Sequence, residues 1–263
     1  MLKTVALERM GAIVSSCDIR HARDAWNSVR CDHGITSRDS GTSLLTFPSA
    51  QPKVGKNIRP TVSITLEAGS DGGLCVNDRY CRATCVVAES ARAQYDNVKR
   101  SRAARTQFLT DYPELFLGLL LERLEWAHVQ HGILDIRPNA NSDVAWERIA
   151  PALFKLIATW DGRAYDYTKR MDRVGFLAEN YRTTYSLTRA TRLETVQRIT
   201  GRGDTVTAVF PSTSPLPATW RGLPVVNGDV TDDRFSDPSG VVVGLLGKGK
   251  LRGIVEHPLL VRA

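Results

Sequence analysis

Three cysteines lie close together in the sequence, and their thiols are the clearest candidates for chemistry. Cys75, Cys81 and Cys85 fall within the segment CVNDRYCRATC. Thiolates are soft ligands that suit zinc and iron–sulfur clusters, so three of them in one loop predict a metal site. A structural zinc ion takes four ligands. The candidates for a fourth ligand are Cys17, Cys31, His33, His128 and His131. The alternative is that the three thiols are reduced and bind nothing.

A second polar group follows a predicted strand at 132–137, in the segment DIRPNANSD at 135–143. Arg137, Asn139, Asn141 and Asp143 crowd the end of this strand. So dense a polar group on a turn is suited to bind a ligand or an ion. The alternative is turn chemistry, because asparagine and serine close turns and cap helices without any ligand.

A third group is YDYTK at 165–169, in the next predicted strand. Strand alternation places Tyr165, Tyr167 and Lys169 on one face and Asp166 on the other. Barrel enzymes carry their active residues at the carboxyl ends of strands. The predicted substrate-site residues are therefore Arg137, Asn139, Asn141, Asp143, Asp166 and Lys169. The alternative for this strand is an ordinary amphipathic strand with a solvated face.

The chain is basic, with a formal charge of +7 and 35 Lys and Arg against 28 Asp and Glu. A basic surface suits phosphate contacts with nucleic acid. The predicted nucleic-acid-binding residues are Arg92, Lys99, Arg100, Arg102 and Arg105. Lys248, Lys250 and Arg252 extend this candidate phosphate-binding face. The alternative is a solvated helix face without a partner.

The elements that must position these residues alternate between strand and helix after residue 60. The patterns predict strands at 61–68, 132–137, 163–168, 181–188, 205–210, 223–229 and 240–246. They predict helices at 87–108, 111–128, 143–149, 151–160, 171–179 and 192–200. Asp111 and Glu114 have the spacing of a capping box, and Ser142 is placed to cap the helix at 143–149. Short buried strands alternating with helices predict an α/β fold, either a parallel sheet or a partial (β/α) barrel.

The first 60 residues differ from the rest of the chain. We expect residues 1–60 to form a loop-rich N-terminal arm with a short helix at 19–30, and residues 61–263 to form the α/β domain. No apolar run approaches the ~18 residues needed to cross a bilayer. Glu8 and Arg9 interrupt the only apolar stretch near the N-terminus, which argues against a signal peptide. The expected location is the cytoplasm, where disulfides are rare.

The order of these features resembles a known family. A cysteine-rich loop, an R-x-N-x-x-S-D strand end at 137–143, the YDYTK strand and a GVVVGLLGKGK segment at 240–250 follow one another over roughly 55–255. This combination resembles uncharacterised bacteriophage proteins of the gene-product-eighty-eight type, which look like truncated radical-SAM barrels. The resemblance implies a [4Fe–4S] cluster on Cys75, Cys81 and Cys85, and S-adenosylmethionine as a cofactor.

Three functional hypotheses follow from the sequence. The leading hypothesis is a phage accessory metalloprotein in the host cytoplasm, a radical-SAM-like enzyme acting on a nucleotide or nucleic acid. The alternative is a non-enzymatic protein that holds a structural zinc and binds DNA or a host protein. A third is a barrel that has lost its cofactor and serves as an interaction scaffold.

Overall fold

A mostly parallel β-sheet is the framework of the protein. The computed structural model describes residues 19–36, 43–50, 53–68, 74–75, 81, 83–85 and 94–262. The strands are β1 (Leu45–Thr46), β2 (Thr61–Ile64), β3 (Asp135–Arg137), β4 (Ala164–Thr168), β5 (Gly175–Ala178), β6 (Tyr181–Ser186), β7 (Val206–Phe210), β8 (Thr219–Trp220), β9 (Leu223–Asn227) and β10 (Val242–Leu246). The helices are α1 (Ile19–Asp32), α2 (Asp96–Asp111), α3 (Pro113–His131), α4 (Trp146–Ile149), α5 (Pro151–Ala158) and α6 (Leu193–Thr200).

The strand order across the sheet is β1-β2-β3-β4-β6-β7-β10-β9-β8, and β5 pairs with β6 beside this path. The pairs that join β2, β3, β4, β6, β7, β10 and β9 are parallel. The pairs β1–β2, β5–β6 and β8–β9 are antiparallel. Among the described residues no pair joins β1 to β8, so the sheet is open there. The structure confirms the α/β class, with a mostly parallel sheet.

Each strand predicted from the sequence is present, with ends that differ by a few residues. The predicted helix at 171–179 is wrong, because this stretch is a short 3-10 turn, Met171–Arg173, followed by β5. Gly175 has a φ of +100°, which an α-helix does not accommodate. Phe176 then pairs with Arg182 of β6. The pairing of β5 with β6 therefore overrides the local helical preference.

Two predicted helix caps are also wrong. Asp111 is the last residue of α2, and Tyr112 alone separates α2 from α3, so Asp111 cannot take the cap position. Helix α4 begins at Trp146 after Ala145, later than predicted. Ser142 instead donates a hydrogen bond to Asn139 Oδ1 at 2.8 Å. The turn before α4 is thus closed by asparagine and serine side chains rather than by a serine cap.

The helices α1, α2, α3 and α5 share the main apolar core with one face of the sheet. Ile64 and Ile136 point from the strands into this core, where Phe108 and Phe116 meet them from the helices. Each such buried side chain contributes roughly 1.5–3 kcal/mol. Trp26 of α1 joins the same core, at the position of the predicted helix at 19–30. A second apolar cluster surrounds β7, β10 and α6.

The other face of the same strands is polar. Ser63 lies beside Arg137, and Tyr165 lies beside Arg182, so these four side chains form a row across β2, β3, β4 and β6. We call this surface the polar face.

None of the helices in the described parts of the chain has the length and apolarity needed to cross a membrane.

Candidate functional site

The sheet divides the six predicted substrate-site residues between its two faces. Arg137 lies on the polar face, and Lys169 extends from the end of β4 to within 3.5 Å of Ser186 Oγ. Asp166 faces the helices, and the loop after β3 brings Asn139 and Asp143 to the same side. The sequence thus identified strand-end residues that form two separate groups.

The helix-side group is centred on Asp166, which is fully buried. Its carboxylate accepts hydrogen bonds from Asn139 N at 2.7 Å, from Asn139 Nδ2 at 2.8 Å and from Tyr181 OH at 2.7 Å. Burial raises the pKa of Asp166 to about 6, although Arg173 and the hydrogen bonds from Tyr181 and Asn139 oppose this shift. The carboxylate is therefore fully engaged within the chain.

Arg173 connects the hydrogen-bond network of Asp166 to two other carboxylates, those of Asp143 and Glu147. Its guanidinium, which is 0% exposed, donates to Asp143, to Glu147 Oε1 at 3.0 Å and to Tyr181 OH at 2.6 Å. Asp143 also accepts from Thr168 Oγ1 at 2.8 Å. Because these partners come from the loop after β3, from α4, from the end of β4 and from the start of β6, the network ties these elements to one another.

Asn141 connects the end of β2 to the start of the cysteine loop. Leu66 N donates to Asn141 Oδ1 at 2.8 Å, and Asn141 Nδ2 donates back to Leu66 O. Cys75 Sγ lies 3.4 Å from the carbonyl oxygen of Asn141. Asp143 N donates to Leu74 O at 2.6 Å. The loop that carries Cys75 is therefore attached at the carboxyl ends of β2 and β3.

The other two cysteines lie in different surroundings. Cys81 packs against the apolar cluster of Leu251, Leu259 and Leu260 near the C-terminus. Cys85 lies close enough to Arg102 to interact with its charge. Within the described residues, no three or more His, Cys, Asp or Glu side chains are grouped closely enough to hold a metal ion. The iron–sulfur and zinc hypotheses therefore remain predictions from the sequence.

The polar face is organised around a carboxylate that the sequence did not point to, Asp232. Its side chain is 1% exposed. It accepts from Arg137 Nη1 at 2.6 Å, from Lys53 Nζ at 3.1 Å, from Tyr167 OH at 3.0 Å and from Tyr165 OH at 3.3 Å. Burial alone would raise the pKa of Asp232, but the charges of Arg137 and Lys53 hold it below its usual value.

Asp232 belongs to the connection between β9 and β10, residues 228–241, which we call the crossover segment. This segment has no helix or strand and lies over the polar face. Asn57 Oδ1 accepts from Thr231 Oγ1 and from Asp232 N, each at 3.0 Å. The guanidinium of Arg163 lies 4.3 Å from the centre of the Phe235 ring. Contacts from β4 and from the turn before β2 thus hold the segment in place.

Cations outnumber carboxylates beneath the crossover segment. Four cations, Lys53, Arg137, Arg182 and Arg234, surround three carboxylates, those of Asp232, Asp233 and Asp237. The Nε atoms of the three arginines are buried and have no hydrogen-bond partner among the described residues. Burial raises the pKa of Asp237 to about 6, against the influence of Arg234 and Arg182. This interior is rich in donors and positively charged.

The predicted nucleic-acid residues of α2 have different roles. Arg105 is 4% exposed and donates to Ser43 O at 2.8 and 2.9 Å and to Thr65 Oγ1 at 2.9 Å, so it joins α2 to the β1–β2 region. Lys99 and Arg100 are exposed, whereas Arg102 is partly buried. Arg92 lies outside the described residues. The exposed basic surface of α2 is therefore smaller than the sequence suggested.

The chain was compared with known proteins at three levels. A family model with the description Gene product 88 matches residues 37–256. No curated protein and no solved structure gives a significant match. These findings do not support the likeness to radical-SAM barrels, whereas the match to the phage gene-product family spans most of the chain, as the sequence motifs indicated. The chain belongs to the Gene product 88 family.

Proposed function

We propose that this protein binds a phosphate-bearing ligand, a nucleotide or a nucleic-acid phosphate, on the polar face of its sheet. The observation that supports this function is the excess of cations over carboxylates around Asp232 and Asp237, where two of the four cations are buried. Unpaired buried charge is costly, so a protein retains it where an anion offsets the cost. Arginine and lysine are the side chains that bind phosphate oxygens most strongly.

The position of the cations supports a ligand site rather than a sealed interior. The side chains of Arg137 and Lys53 are 18% and 29% exposed, so solvent reaches both. Arg137 and Lys169 lie near the carboxyl ends of β3 and β4. Ligands of open α/β sheets bind outside the carboxyl ends of parallel strands. A phosphate entering from this edge would meet Lys169 and then Arg137.

The one-sided distribution of helices also supports the hypothesis of a partial barrel. The main apolar core, shared with α1, α2, α3 and α5, covers one face, and a segment without regular structure covers the other. In a barrel the helices lie outside and the polar site lies inside or at the strand ends. We infer that the polar face is the inner surface of such a partial barrel.

The metal hypotheses rest on the sequence alone. A [4Fe–4S] cluster with S-adenosylmethionine, or a structural zinc, requires Cys75, Cys81 and Cys85 to come together. The described cysteines are not so arranged. The binding function proposed here therefore uses none of the three thiols.

The proposal is tested by equilibrium binding of nucleoside mono-, di- and triphosphates and of a single-stranded oligonucleotide. The variants Lys53→Gln and Lys169→Gln should each weaken nucleotide binding about tenfold or more, because a charge-assisted hydrogen bond contributes roughly 1.5–3 kcal/mol. The matched control is Lys155→Gln, an exposed lysine of α5 that should leave binding unchanged. Binding that falls equally in the control, or no binding by the unaltered chain, would refute the proposal.

The alternative, nucleic-acid binding on α2, predicts a different pattern of binding among the variants. Oligonucleotide binding that survives Lys53→Gln but is lost in Lys99→Gln or Arg100→Gln would place the interaction on the exposed surface of α2. Both sites predict weaker binding at high salt, because phosphate contacts release counterions. Salt dependence alone therefore does not distinguish them, and the variants do.

A further inference from the structure

The surroundings of Asp232 have the composition of an anion-binding site. Two cations and two tyrosine hydroxyls converge on one carboxylate, at 2.6 Å from Arg137, 3.1 Å from Lys53, 3.0 Å from Tyr167 and 3.3 Å from Tyr165. All four donors come from the sheet or from the turn that precedes it. The anion that they bind comes from a different element, the crossover segment.

We propose that Asp232 is a built-in substitute for a phosphate group, and that a phosphate ligand displaces it and moves the crossover segment away from the polar face. This inference rests on the proposed function and deepens it. It assigns the phosphate position to the four donors around Asp232, and it makes the contact between Asp232 and these donors autoinhibitory.

The donors match a phosphate better than a carboxylate. A carboxylate offers two oxygens, whereas a phosphate monoester offers three and carries up to two negative charges. The Nε atoms of Arg137 and Arg182 are buried on this face, and neither has a hydrogen-bond partner in the part of the chain that the structure describes. A third oxygen and a second charge can use donors that Asp232 leaves unused, which gives the ligand the differential affinity that displacement requires.

Hydrogen bonds within the crossover segment hold its middle part together. Its internal hydrogen bonds include Asp233 N to Thr231 Oγ1 at 3.2 Å, Phe235 N to Asp233 Oδ1 at 3.1 Å and Ser236 Oγ to Asp233 O at 2.9 Å. These bonds stay intact if the segment leaves the sheet. Glycines stand near its two ends, and Gly240 has a φ of +68°. Such positions absorb the dihedral changes of a hinge.

The first test removes the negative charge of Asp232. Asp232→Asn keeps the shape of the side chain and removes its charge, so inorganic phosphate and a nucleoside monophosphate should bind about tenfold more tightly than to the unaltered chain. The control is Asp229→Asn, which makes the same change of net charge in the same segment. Asp229 instead contacts Lys248 Nζ at 2.6 Å and Leu246 N at 2.9 Å, away from the four donors.

The second test needs no variant. Arg234 is 1% exposed, so trypsin cuts after it only when the crossover segment has left the sheet. Added phosphate should accelerate this cleavage severalfold, whereas sodium chloride at matched ionic strength should not. This assay tests whether phosphate displaces the crossover segment, even if Asp232→Asn fails to fold.

The outcomes separate the two proposals. If neither the unaltered chain nor Asp232→Asn binds any phosphate compound, the proposed function fails and the inference fails with it. If the unaltered chain binds nucleotides, but Asp232→Asn binds no more tightly and phosphate leaves cleavage after Arg234 unchanged or slower, only the inference is overturned. Tighter binding by the variant together with faster cleavage supports both.

Discussion

Replacing Arg173 by methionine tests whether the network at the strand ends holds the sheet together. Arg173 is fully buried and donates to Asp143, Glu147 and Tyr181. Methionine fills a similar volume without the charge. The substitution therefore removes the buried counter-ion of two carboxylates that are 9% and 10% exposed, and Glu147 keeps only the exposed Arg148 at 3.8 Å.

The expected cost follows from this burial. Removing one member of a buried ion pair costs about 3–5 kcal/mol, because the remaining charge stays uncompensated. Domains are stable by only about 5–15 kcal/mol, so this is a large share of the total. Urea unfolding followed by tryptophan fluorescence measures the loss as a lower midpoint, and an unchanged slope would show that the folded and unfolded states are otherwise similar.

Arg170→Met is the matched control. Arg170 lies three residues earlier and pairs with Asp172 at 2.9 Å, but the two side chains are 34% and 49% exposed. Such a pair contributes at most about 1 kcal/mol. Adding Glu147→Gln to Arg173→Met should recover part of the lost stability, since it removes one of the two carboxylate charges that had paired with Arg173. The reasoning is refuted if Arg173→Met destabilises the protein no more than Arg170→Met does.

Three further predictions concern other parts of the molecule. The raised pKa of Asp237, about 6 against a usual 3.8, means that the folded state holds this proton more tightly, so stability falls as pH rises from 4 to 6. Asp237→Asn should remove about 2 kcal/mol of that fall, and parallel pH profiles of unfolding for variant and unaltered chain would contradict this. Protein purified without oxygen should carry less than one equivalent of iron or zinc; stoichiometric iron that is lost in Cys81→Ala would support the cluster hypothesis, and stoichiometric zinc would support the structural-zinc hypothesis. Arg105→Met should cost about 2–4 kcal/mol in urea unfolding, because Ser43 O and Thr65 lose buried partners. Lys99→Met on the exposed side of α2 should change stability by less than about 0.5 kcal/mol, and equal losses would refute the structural role of Arg105.

The sheet was predictable because its strands carry their own signals. Strand β2 lies within the β-branched stretch at 61–68, β10 lies within the apolar stretch at 240–246, and α3 covers the predicted helix at 111–128. The segment at 171–179 was not predictable locally. Its conformation is set by pairing with β6 and by Gly175, which are tertiary constraints.

The candidate site was predictable only in part. Arg137 and Lys169 were identified because strand ends in α/β folds carry functional side chains. Asp232 gave no comparable signal, because it lies in an irregular segment 95 positions from its partner Arg137. Lys53 comes from a turn before the first parallel strand. A contact between two irregular segments follows neither helical nor strand periodicity, so no sequence pattern predicts it.

The long separation between Asp232 and its partners has a consequence for synthesis. Lys53, Arg137 and the two tyrosines leave the ribosome well before the carboxylate that neutralises them, and 95 residues separate Arg137 from Asp232. At about 5–20 residues per second, the delay is on the order of 5–20 s. During that interval the nascent chain presents uncompensated positive charge on incomplete strands, next to the anionic ribosome. The positive charge is neutralised only when the crossover segment has been synthesised, because that segment supplies the carboxylate of Asp232.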